Sequence, residues 1–200
     1  MHRDTNRQIL EEINRFPSLN YGNVVGSSAS GRTRVISLGT FYSEAAGRDI
    51  DLGLKEYSEY SGGEGDALNL QVACELGLID LVEEHLPSLI GEFPLFHGVF
   101  LNANGNPVGV ITEDYSRNGT VLVKTVYRWD AEFLPYEIQR LVGGPDNLDD
   151  LATTCFLVGG KRRIGDFGEF TFDAEEKLRL AKDYLDIMAA YSVKVVLKGR

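Results

Sequence analysis

Ile9, Leu10, Ile13 and Phe16 recur at the 3.6-residue spacing of an amphipathic helix that Asp4 can cap and Pro17 ends. From Asn20 the pattern shortens to that of strands. Val24-Val25, the small-residue segment Gly26-Ser-Ser-Ala-Ser-Gly31, and Val35, Ile36 and Leu38 predict two strands joined by a turn. Such a turn is either a plain hairpin tip or a place where backbone N–H groups approach an anion closely. A third strand runs over residues 50–55. Ile50, Leu52 and Leu54 fall on one face and Lys55 on the other, either solvated or pointing where the glycine-rich strands open. After the turn Ser61-Gly-Gly-Glu-Gly65, Asp66 caps a long helix with Leu68, Val72, Leu76, Ile79 and Val82 on its buried side, ended by Pro87. Glu75 lies beside that stripe, at the solvent boundary or reaching for an inward cation. Residues 95–101 and 108–112 are apolar runs joined by Asn102-Ala-Asn-Gly-Asn106, which is hairpin chemistry. The sum is a five-stranded antiparallel sheet with one long helix.

The polar, turn-rich segment 113–119 is the expected boundary to a second part. There the pattern predicts a strand over 121–129, a short helix over 136–142, the turn Gly143-Gly-Pro145 and a carboxylate cluster of Asp146, Asp149 and Asp150. Next, Phe156, Leu157 and Val158 form a strand, Gly159-Gly160 a tight turn, and Arg163-Ile164-Gly165 the returning strand. Asp166 stands at the mouth of that hairpin, with Phe167 as an apolar anchor and Gly168 as a pivot. This suits a metal ligand, and it is also a common way to leave a strand. A helix from Asp173 carries Leu178, Ala181, Tyr184, Leu185 and Met188 on one face, and residues 192–200 follow as a strand or tail.

Composition narrows the partners. With 43% apolar residues among 200, the chain can build one domain or two small lobes sharing a cleft. A net charge of −10 repels a phosphate backbone, which argues against nucleic acid. No apolar run approaches the roughly 20 residues of a membrane-spanning helix, so a soluble protein is expected. Cys74 and Cys155 lack disulfide or zinc spacing, which fits a reducing, cytoplasmic compartment. His85 and His97 have no Gly-x-Ser-x-Gly elbow to serve, and the Asp146 cluster lacks the alternating ligands of a calcium loop.

Taken in order, Gly26-x-Ser28-x-x-Gly31-x-Thr33, Lys55, Glu75, Thr112 followed by Glu113-Asp-Tyr115, Leu148-Asp-Asp-Leu-Ala-Thr-Thr-Cys155 and Asp166-Phe-Gly168 resemble the signature set of protein kinases. Small bacterial effector kinases with shortened C-lobes are the nearest likeness. The resemblance implies an α+β, protein-kinase-like fold: an N-terminal helix (1–18), an N-lobe (19–112) with the five-stranded antiparallel sheet and one long helix, and a hinge with a reduced, mainly helical C-lobe (113–200). It implies an ATP- and Mg²⁺-dependent phosphotransferase acting on a hydroxyl of a protein substrate, delivered into a host cell if the chain is such an effector. Gly26, Ser28 and Gly31 would cover the phosphates, and Lys55, oriented by Glu75, would neutralise them. Glu113 and Tyr115 would line the nucleotide site at the hinge, Asp166 would hold Mg²⁺ and Asp150 would accept the hydroxyl proton. The resemblance leaves the oligomeric state open.

The departures imply two alternatives. Leu148, Asp149 and Cys155 replace the family's histidine, arginine and second-metal asparagine, Ser28 replaces the middle glycine, and Thr33 the adenine-roofing valine. Only 32 residues follow Gly168. A pseudokinase-like module that binds nucleotide or a partner without transfer would tolerate those changes, and altered metal ligation would also suit transfer of adenylate.

Overall fold

Ile9, Leu10 and Ile13 do form one face of a helix, α1 (His2–Asn14), in the computed structural model of the chain. The structure describes residues 2–27, 33–57, 76, 82–101, 105, 107–115, 121–127, 152–158, 161–165, 186 and 189–199. The helix starts before Asp4, which therefore sits within its first turn, where a negative charge suits the helix dipole, 3.7 Å from Arg7. The strands are β1 (Leu19–Asn20), β2 (Val24–Ser27), β3 (Thr33–Ser43), β4 (Arg48–Tyr57), β5 (His97–Leu101) and β6 (Pro107–Glu113). They continue with β7 (Val121–Tyr127), β8 (Ala152–Val158), β9 (Lys161–Gly165), β10 (Ser192–Val193) and β11 (Leu197–Lys198). A 3₁₀ turn spans Ile90–Glu92.

Two units are separable. One comprises residues 1–68, 95–117 and 188–200, the other 69–94 and 118–187. The C-terminal residues from Met188 belong to the first unit, and residues 69–94 to the second.

In the first unit the sheet order is β10-β5-β6-β4-β3-β2. The five expected strands pair antiparallel, and β10 adds a sixth, parallel to β5. A separate parallel pair joins β1 to β11. Ile36, Leu54 and Ile111 lie in register across β3, β4 and β6, and with Ile9, Leu10 and Ile13 they belong to one buried core. Each such side chain contributes about 1.5–3 kcal/mol through removal from water. Gly98 permits the close approach of α1: a Cβ there would lie 2.6 Å from Leu10 Cδ2 and 3.1 Å from Val193 Cγ2.

Polar side chains fasten α1 where the ladders end. The Asn6 side-chain oxygen accepts the His97 N–H at 3.1 Å, and Glu12 accepts the Ala45 N–H at 2.9 Å. Asn14 donates to the Ser192 carbonyl at 3.0 Å and accepts the Lys194 N–H at 2.9 Å. It thus supplies β10 with the hydrogen bonds that another strand would otherwise make.

Gly109, in β6 opposite Glu56, is required by close backbone packing, since a Cβ would come within 2.2 Å of the Lys55 carbonyl oxygen. Backbone cannot swing aside as a side-chain tip can. Gly109→Ala is expected to destabilise by about 3 kcal/mol or more. Gly91→Ala, where a Cβ meets nothing within 4 Å, should stay within about 0.5 kcal/mol. Urea denaturation of the two variants measures the difference.

The second unit contains an antiparallel sheet, β7-β8-β9. Val158 pairs directly with Lys161, which leaves Gly159-Gly160 as the expected two-residue connection. Strand β8 begins at Ala152, four residues before the expected start at Phe156. Leu76 and residues 82–85 are helical, and Leu76 and Val82 are buried, as expected of the long helix. Asp186 is helical, within the helix expected from Asp173, and the helix expected over 136–142 lies outside the described residues.

Candidate functional site

Strand β4 lies near the middle of the six-stranded sheet, hydrogen-bonded to β3 on one side and β6 on the other. Its alternation follows the sequence: Ile50, Leu52 and Leu54 are buried in the core, and Lys55, partly exposed, projects from the other face. The register sets Lys55 between Val35 of β3 and Val110 of β6, with Val99 of β5 beyond. The next row on that face holds Ser37, Gly53, Thr112 and His97. Thr112 donates to the Phe96 carbonyl at 3.1 Å. One cation therefore stands among aliphatic side chains, with a polar row beside it.

The glycine-rich segment begins in β2. Gly26 pairs with Val35 and Ser27 with Arg34, so this hairpin adjoins the lysine strand through β3. On the opposite side, β6 runs directly into the expected hinge. Three sequence-predicted pieces are thereby adjacent: the base of the glycine-rich hairpin, Lys55 and the hinge. Ser28, Gly31, Glu75, Asp150 and Asp166 lie outside the described residues. Among the described residues no group of three or more His, Cys, Asp or Glu is placed to hold a metal ion.

Glu113 is cross-strand from Leu52, which puts its side chain on the face opposite Lys55. There it pairs with Arg48 and accepts the Leu95 N–H at 2.9 Å. The Tyr115 hydroxyl, on a buried residue, lies 3.5 Å from the same carboxylate. Glu113 and Tyr115 are thus structural partners through their side chains, and what Glu113 can offer a ligand on the Lys55 face is backbone.

Asp114, between them, was not singled out in the sequence. It is 2% exposed, and its N–H donates to the Asp51 carbonyl at 2.8 Å. Its Cβ lies 3.3 Å from where a Gly53 Cβ would be, on the face that carries Lys55. The available signal was Gly53 itself, since a glycine inside an alternating strand marks the close approach of another group.

Cys155 lies within β8, paired with Lys124 and Ile164, and Ala152, Thr153 and Thr154 precede it in the same strand. Half of the segment that resembles the kinase catalytic loop is therefore ladder. Comparison of the chain with protein-family models, with curated proteins and with solved structures finds no match.

Proposed function

We propose that this chain is an ATP-dependent phosphotransferase of protein-kinase type that acts on a protein hydroxyl. The observation that carries the reading is the position of Lys55: one cation on the middle of a sheet face, in register with Val35 and Val110, between the glycine-rich hairpin and the hinge. Val35, half-buried beside Lys55, suits the apolar part of a nucleotide, and the ammonium suits its phosphates. The substrate oxygen forms a bond to the γ-phosphorus as the bond to the ADP oxygen breaks, and Asp150 takes the hydroxyl proton. Asp166 would be the residue to hold Mg²⁺, which would supply charge neutralisation at the phosphates.

A second reading, nucleotide binding without transfer, draws support from Cys155. The residue aligned with the second-metal asparagine is a cysteine, and its backbone is engaged in β8.

Thermal unfolding with and without MgATP, followed by intact mass measurement, separates the readings. At a hundredfold excess over Kd, binding stabilises by about 2.7 kcal/mol, which corresponds to a rise on the order of 5–10 °C for a chain of this size. A phosphate increment on the chain or an added protein supports transfer, a nucleotide increment supports adenylate transfer, and a thermal shift without any increment supports the second reading. No shift and no increment would overturn all of them.

A further inference from the structure

Directly after Lys55, and on the opposite face of β4, lies Glu56, 1% exposed. A carboxylate withdrawn from water requires charged or hydrogen-bonding partners. Here the Tyr21 hydroxyl donates to Oε2 at 2.9 Å, and Arg34 Nη2 lies 2.6 Å from the same oxygen. Arg34 is the cross-strand partner of Glu56 in β4 and of Ser27 in β2. The ion pair therefore sits at the base of the hairpin that carries the glycine-rich segment. Tyr21 follows β1, and its N–H donates to the Lys198 carbonyl at 2.8 Å. One carboxylate oxygen thus joins the hairpin base, the lysine strand and the segment paired with the C-terminal strand. An apolar residue could complete a core at this point without desolvating a charge. What the carboxylate adds is direction: it holds Arg34 and Tyr21 in one arrangement each.

We infer that Glu56 is a positioning residue for the triphosphate end of the nucleotide. Through Arg34 it fixes the base of the β2–β3 hairpin against the lysine strand, and so where the backbone of Gly26 and Ser27, opposite Val35 and Arg34, stands relative to Lys55. Glu56 lies on the other face of the sheet from Lys55 and acts through Arg34. The inference rests on the nucleotide reading above and deepens it.

The test compares affinities for ATP and for adenosine, which lacks phosphates, in Glu56→Gln and Arg34→Met. Each variant is expected to weaken ATP binding about five- to tenfold, with adenosine binding changed less than about twofold. In the Glu56→Gln background, Arg34→Met should add little further loss, because the two act as one unit. Arg34 has a side chain 49% exposed, so its variant reports on the inference even if Glu56→Gln folds poorly. Equal losses for both ligands, or an unchanged ATP affinity in Arg34→Met, overturn the positioning role alone. A wild-type chain that binds neither ligand overturns the nucleotide reading and this inference with it.

Discussion

On the proposed function, Lys55→Met is expected to yield a folded chain that does not respond to MgATP: the nucleotide-dependent thermal shift should be absent, and any transfer should fall by about 100-fold or more. Methionine keeps an unbranched side chain of similar length between Val35 and Val110 while removing the charge. Lys55 is partly exposed and lies on the face opposite Ile50, Leu52 and Leu54, so the folding cost should stay within about 2 kcal/mol. In the proposed function the cost to activity is larger, because methionine removes the cation that would face the charge growing in the transition state. Thermal unfolding without nucleotide, run beside the binding and transfer measurements, separates the two effects. A variant that binds and transfers like the wild type would reduce Lys55 to a solvated strand residue and remove the observation on which the functional proposal stands.

Deleting residues 192–200 is expected to cost the first unit several kcal/mol. Val193 is fully buried and Val195 nearly so, both within the core that includes α1 and the sheet. Their removal alone forfeits roughly 3–6 kcal/mol, set against total stabilities of about 5–15 kcal/mol for typical domains. The truncation also exposes the edge of β5 that β10 covers, strips both Asn14 hydrogen bonds and leaves β1 without its partner. Val193→Ala provides a graded control, with an expected loss of roughly 2 kcal/mol. Urea denaturation reads both. A truncated chain with an unchanged midpoint would show that β10 and β11 add nothing to the unit, contrary to their burial.

These residues illustrate what pattern reading could reach. Helix α1 and the antiparallel pairings of β5 with β6 and of β8 with β9 are local structures, signalled by spacing and turn chemistry within a few residues. The extent of β3 was harder to see. A register shift between Ser37 and Gly39, with Gly39 at φ 108°, breaks the alternation midway, so a period of two stops short of Phe41 and Ser43 although the strand continues. The parallel pairings β5–β10 and β1–β11 join residues far apart in the chain, and no short window contains both partners.

The hinge shows the same limit at the scale of a side chain. Glu113 and Asp114 are adjacent carboxylates, and composition does not distinguish them. Pairing Lys55 with Val110 sends Thr112 to the lysine face and Glu113 to the other, and Asp114 then packs over Gly53. A shift of one residue in that register would exchange the two faces. Glu56 was likewise legible only as one more charge after a strand lysine. Its position as a junction depends on Arg34 arriving from β3 and Tyr21 from the segment after β1.

By itself, then, the amino-acid sequence determined the amphipathic helix, the sheet-forming runs with their hairpins, and Lys55 on the face opposite Ile50, Leu52 and Leu54, because each follows from side-chain period and backbone sterics over short distances. Only the tertiary structure decided which strand flanks which, that the C-terminal residues complete the first unit, and that Asp114 and not Glu113 shares the face of Lys55. Those outcomes are set by long-range register and by the burial it permits, which depend on the whole chain being packed at once.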